Sequence, residues 1–208
     1  MTIAEEFSNW SKNLTVKNIP EKNKKTLEFL FKDTCGIILA ARNENYVQSL
    51  VKTYKDSGSF VCLGHGKNFD LFSSAIIAGT AAHGEDFDDT FEGNPIHVGA
   101  SMIPAMLSAA QKFNLSGDQI LKGLIVGSEL ICRLALVAPT AMHKQCFHPT
   151  AVCGTLGVAA GLSSVLDLTE KQMVSALGIA GSFASGIIEY LAEGSWTKRI
   201  HPGWSANS

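Results

Sequence analysis

The chain has 208 residues and a formal net charge of -2, with 46% hydrophobic and 17% charged residues. That length supports one sizeable core, and that apolar content excludes disorder over most of the chain. The near-neutral balance argues against a binder of phosphate backbones, which needs a basic surface, so nucleic acid is not an expected partner.

Aromatic residues are only 8%, so the apolar content is carried by Ala, Leu, Ile and Val beside 19 glycines. Such a mixture suits close helix packing better than a sheet. In chain order, Thr26–Arg42 places Leu27, Leu30, Phe31, Thr34, Cys35, Ile38 and Leu39 on one helical stripe. Asn45–Lys55 repeats the pattern more weakly and should stop at the turn cluster Asp56-Ser57-Gly58-Ser59. Phe60–Leu63 reads as a short extended run, and a helix is expected from Asn68 through Thr80 towards Asp86. Val98–Phe113 is helical with a kink at Pro104. Ser116-x-x-Gln119 and Thr169-x-x-Gln172 are capping-box patterns that start helices over Gly117–Val137 and Glu170–Phe183, with Thr150–Leu166 between them. Gly154, Gly157 and Gly161 mark one thin helix face where another backbone can approach. The expected fold is all-α, one closely packed helical domain over residues 1–208.

The uncharged stretches Thr150–Leu166 and Met173–Ile188 are short and rich in Gly, Ser and Ala, so they read as buried helices, and no membrane partner is expected. Five cysteines (Cys35, Cys62, Cys132, Cys146 and Cys153) form no Cys-x-x-Cys pair and read as reduced thiols. The acidic start, Met-Thr-Ile-Ala-Glu-Glu, has no basic n-region or apolar h-region. A cytoplasmic location is expected.

Three segments concentrate the polar chemistry. The first runs from His83 to Glu92 and holds Glu85, Asp86, Asp88 and Asp89, with His97 shortly after. If helix continues there, His83, Asp86 and Thr90 share one face. Asp88-Asp89-Thr90-Phe91-Glu92 also satisfies the Asp-Asp-x-x-Asp/Glu pattern of magnesium-diphosphate sites, but no second acidic cluster follows it downstream. The second segment, His143 to Cys153, offers His143, Cys146, His148 and Cys153 as soft ligands. Their spacing fits no common closed zinc site, and His148-Pro149 reads instead as a loop-to-helix junction suited to an anion. The third, Glu193 to Trp204, sets Lys198, Arg199 and His201 between Trp196 and Trp204 and reads as a structured anion-binding loop. Dinucleotide, Walker and nucleophile-elbow motifs are absent, so neither cofactor nor metal is expected.

Together and in this order, His83-Gly-Glu-Asp-Phe-Asp-Asp-Thr90 with His97, Phe147-His-Pro-Thr150 with Cys153-Gly154, and Gly194-Ser-Trp-Thr-Lys-Arg-Ile-His-Pro-Gly-Trp204 resemble the MmgE/PrpD family. The resemblance covers about the amino-terminal half of a member. It implies a helical domain completed by a smaller α+β lid domain, and a homodimer. It implies catalytic roles for Asp86, Thr90, His97, His148 and Lys198, with Arg199 and His201 as substrate-binding neighbours. The implied activity is a cofactor-independent lyase, dehydratase or decarboxylase, on small di- or tricarboxylates. Epimerisation by the same proton abstraction is the alternative chemistry, and an inactive helical fragment with an association role is the alternative class. In either case fixed cations would meet charge that builds up on an anionic substrate.

Overall fold

The computed structural model describes residues 1–54 and 58–208. Among these, eleven α-helices, one short 3-10 helix (Val16–Asn18) and one two-stranded ribbon are formed, so the expected all-α class holds. The central helices are α4, Leu71–His83, and α5, Val98–Phe113, which are buried almost all round. Their sequences carry no charge before the last turn, and they pack on each other. Around them lie α2, Glu21–Ala41, α3, Asn45–Thr53, α6, Gly117–Val137, and α8, Pro149–Val165. Outside α8, α1, Ile3–Asn13, packs on α9, Glu170–Phe183.

Both capping boxes form: Ser116 Oγ accepts from Gln119 N, and Thr169 Oγ1 accepts from Gln172 N. The start of α4 differs from the expectation. Asn68-Phe69 pairs as a short antiparallel strand (β2) with Phe60-Val61 (β1), in the register Phe60↔Phe69. The helix begins at Leu71 because Asp70 caps it, its carboxylate accepting from the backbone of Phe72 and Ser73. Lys55, Asp56 and Ser57, the end of the weaker stripe and the heart of its turn cluster, lie outside the described residues.

The glycine stripe of α8 meets the backbone of α6. A Cβ on Gly157 would sit 2.9 Å from the Gly127 carbonyl oxygen, and one on Gly161 would sit 2.7 Å from that of Gly123. Gly154 faces Ser101 and Ser205 instead, which brings α5 and α11, Thr197–Asn207, to the same helix. The core beneath this contact holds Met102, Met106, Leu124, Ile131 and Val158.

Two sequence expectations are corrected here. Helix does not continue through the acidic segment: α4 stops at His83, and Asp86 adopts a left-handed backbone (φ 56°). His83, Asp86 and Thr90 therefore share no helical face. The basic segment is not a loop either. After the short helix α10, Tyr190–Glu193, and the left-handed Gly194, residues Lys198, Arg199 and His201 lie in the opening turns of α11.

Close packing at Gly157 gives a stability test. Gly157→Ala forces a methyl against Ile131 and the α6 backbone, and should cost about 1–3 kcal/mol. Gly178→Ala on the exposed face of α9 meets nothing within 4 Å and should stabilise by up to about 1 kcal/mol through helix propensity. Urea denaturation of the two variants beside the parent chain measures both.

Candidate active site

The polar centre forms where α4 ends and three helices begin. His83 is the last residue of the enclosed helix α4, so its imidazole is sealed inside, 1% exposed. The chain reverses at Asp86 and sends Asp88 back inward, where its side chain is fully buried. Asp88 Oδ2 accepts from His83 Nδ1 at 2.8 Å and lies 3.4 Å from His97 Nδ1. The neighbouring carboxylate, Asp89, turns to α5 and accepts from the backbone of Val98 and Gly99 at 3.0 and 2.8 Å. It thus occupies the positive end of that helix. Burial pushes the Asp89 carboxyl above its ordinary range, against the pull of these two donors.

His97 and His148 occupy the N-cap positions of α5 and α8. The two junctions are tied together, since His97 N–H donates to Thr150 Oγ1 at 3.1 Å. His97 Nδ1 lies 2.9 Å from the Asp89 carbonyl oxygen, which can only accept. That bond puts a proton on Nδ1 and, in the neutral ring, leaves Nε2 as the basic nitrogen. The rings of His97 and His148 both flank His83, at centroid separations of 4.7 and 5.5 Å. The 51 positions between them in sequence are thus closed across one site.

From the other side, residues 146–148 pair with residues 186–188 in a narrow frame: His148 N donates to the Gly186 carbonyl and Ile188 N to the Cys146 carbonyl. This frame carries Tyr190, whose ring packs edge-on at 5.8 Å against both His148 and His201. His148 Nδ1 and His201 Nδ1 lie 3.1 Å apart. Burial, and secondarily the charges of neighbouring histidines, holds His148 at about 2 and His201 at about 4, far below ordinary imidazole values. His97 is lowered as well, again mainly by burial. Burial, with Asp86 nearby, pushes the Tyr190 phenol up to about 12.

At the mouth, Lys198 Nζ pairs with Asp86 Oδ1. Partial burial, the largest single influence, would raise the Asp86 carboxyl, but the Lys198 hydrogen bond and charge, with His83 and His97 nearby, together outweigh it and hold the group below its ordinary range. Arg199 is placed differently: its guanidinium stacks 4.4 Å above the Tyr46 ring, and Tyr46 donates to Glu85 at 2.9 Å. The Gly84 backbone runs against that ring, with no room there for a Cβ.

Of the residues singled out in the sequence, Asp86, His97, His148, Lys198 and His201 therefore surround one site. Thr90 does not join them; it faces an open groove of about 1000 Å³ along α2, lined by Leu27, Leu30, Ile37, Phe91 and Cys132 among others. His83, Asp88 and Tyr190 were not among the candidates. His83 and Asp88 stood in the acidic motif, but alternate inward and outward turns of an irregular segment leave no periodic signal. Tyr190 is brought in only by the pairing of residues 146–148 with 186–188.

Donor atoms of His83, Asp88 and His97 lie within 4.8 Å of one another, the one such grouping among the described residues. The Nδ1 atoms of both histidines already donate to oxygen there, which favours a hydrogen-bonded cluster over metal ligation. His143, Cys146, His148 and Cys153 form no grouping of that kind among the described residues. Nor do Asp88, Asp89 and Glu92 present a common carboxylate face, since the first is buried on histidine and the second caps α5.

Buried imidazoles beside a cation and an orienting carboxylate are groups able to move protons and to meet negative charge. The chain belongs to the MmgE/PrpD family: the model of the MmgE/PrpD N-terminal domain matches residues 5–208. It is 26% identical to cis-aconitate decarboxylase of Aspergillus terreus across 99% of this chain and 44% of that protein. It is 35% identical to cis-aconitate decarboxylase of Homo sapiens across 64% of this chain and 28% of that protein. The chain spans less than half the length of these relatives.

Acid stability tests the sealed histidines. In the unfolded chain they titrate near ~6.5, whereas the native His148 and His201 resist protonation until far lower pH. Stability should be full above that value and fall as the pH drops through it, the loss growing down to about 4, where His201 protonates, and more gently below it while His148 stays neutral. Urea midpoints at neutral pH and about one and a half units below it measure this before most carboxylates titrate. His148→Asn should flatten the dependence.

Proposed function

We propose that this protein is a cofactor-independent lyase acting on small di- or tricarboxylates. The observation that carries the reading is the single site in which Lys198 stands at the mouth of a cluster of neutral, buried imidazoles. Losing CO₂ or water beside a carboxylate builds negative charge on a substrate that is already anionic, so a fixed cation there lowers the barrier. Lys198 would exchange Asp86 for a substrate carboxylate. An imidazole would then give or take the proton at the reacting carbon, and its neutrality at working pH keeps it able to do either. Asp88 orients His83 and, with the Asp89 carbonyl, His97.

The relatives named cis-aconitate decarboxylase make cis-aconitate the first substrate to test, with decarboxylation ahead of dehydration. Epimerisation of a dicarboxylate would need the same proton abstraction and the same cation.

The test is turnover on cis-aconitate, 2-methylcitrate and an epimerisable dicarboxylate, with products followed by NMR. Weak turnover on one of the first two is expected, and Lys198→Ala should lower it by about 10²-fold or more with unchanged circular dichroism. Full activity in that variant would remove Lys198 from the site. Isomer formation without CO₂ or water loss would replace the lyase reading with the epimerase one.

A further inference from the structure

We propose that His148 and His201 form one proton-relay pair joined through their Nδ1 atoms, with His201 the positioning residue that sets the tautomer of His148. Its chemical use rests on the lyase reading above; its geometry does not. The two Nδ1 atoms lie 3.1 Å apart with both rings buried. At that distance one nitrogen must donate and the other accept, because two N–H groups or two lone pairs would repel. A neutral imidazole carries a single N–H. The donor ring therefore presents a basic Nε2 and the acceptor ring an acidic Nε2–H. The pair always holds one edge of each kind, and moving the shared proton across exchanges them.

This arrangement supplies a proton to carbon without leaving a charge behind. In a decarboxylation the electrons of the breaking C–C bond stay on the substrate carbon as CO₂ departs. That carbon takes the proton of the acidic Nε2–H, whose bonding electrons remain on nitrogen. The Nδ1 proton of the partner ring crosses to the first ring, and the partner's Nε2 takes a proton from solvent. Both rings end neutral, with tautomers exchanged.

Burial and the His83 ring disfavour an extra charge on both members of the pair, and His97 and Lys198 add to this at His148. His83 faces it from α4, His97 from the start of α5, Tyr190 from α10 and Lys198 from α11, the last already paired with Asp86. Burial holds both rings well below the ordinary imidazole range, as a relay that passes protons through neutral states requires.

The test uses the ¹⁵N-labelled 208-residue chain and long-range ¹H–¹⁵N correlations at neutral pH. His148 and His201 should appear as opposite tautomers, one protonated at Nδ1 and the other at Nε2. His201→Asn keeps an amide near the Nδ1 position and should hold His148 in one tautomer, whereas His201→Phe should leave a mixture. Both variants should lower kcat by about tenfold or more with KM changed by less than about twofold. Matching tautomers, a charged ring at neutral pH, or an unchanged His148 pattern in His201→Phe would overturn the pairing. A rise in KM alone would also overturn it, making His201 a substrate contact. If His201→Phe fails to fold, the parent spectrum and His201→Asn still decide. No turnover on any polycarboxylate would sink the lyase reading, leaving the tautomers to judge the pair.

Discussion

The close contact of α4 with α11 sets the position of most of the polar groups. Gly79 and Gly203 meet backbone to backbone, so a Cβ on Gly79 would lie 2.5 Å from the Gly203 Cα. A Cβ on Gly203 would run into the Ile76 carbonyl. Neither helix can approach this way with larger residues, and neither can slide without separating. His83 lies one turn beyond Gly79, and His201 and Lys198 lie within five residues before Gly203. A contact between two residues without side chains thus fixes the distance between the imidazole of one helix and the cation of the other. The same device repeats at α6 and α8, where Gly127 and Gly157 keep the second histidine junction at its depth.

Two adjacent carboxylates show how little of an acidic motif need be acidic surface. Asp88 is sealed, with one oxygen on the histidines and the other buried without a partner, while Asp89 is consumed in capping α5. The peptide between them reverses side-chain direction, as consecutive residues in extended chain do, and so one reaches the cluster and the other the helix. Asn94 completes the anchoring: its amide donates to the carbonyls of Ala135 and Pro139 at the end of α6. The loop from Gly84 to His97 is therefore held at both faces despite having no regular structure.

The helices were legible because their signals are local. Both capping boxes and the periodic apolar runs of α5, α6 and α9 need only neighbours within a few residues, and their boundaries match the structure. The irregular stretch after His83 was not legible in the same way. A helical extension fits its letters, but Gly84 lies against the Tyr46 ring and Asp86 turns left-handed. Both facts depend on residues distant in sequence. Likewise the cations near Trp196 read as a loop because Gly194 and Pro202 look like breaks. Pro202 instead sits inside α11, and the left-handed Gly194 ends α10 just before it. The places of His97 and His148 just before helices were legible, since each precedes an apolar run, at Val98 and at Pro149. The central place of His83 was not, because a lone histidine at the end of an apolar helix reads equally well as a cap.

On the proposed lyase reading, the ion pair between Asp86 and Lys198 gives the protein its own stand-in for a substrate carboxylate at the mouth of the site. An incoming anion does not meet a bare cation; it trades places with a tethered one, and the number of ion pairs at Lys198 is the same before and after. Charge alone then gives a ligand little advantage, and a simple inorganic anion gains almost nothing by entering. On that reading, what would distinguish a good ligand is the remainder of its surface, fitted against Tyr190 and the imidazoles. Discrimination passes from electrostatics to shape.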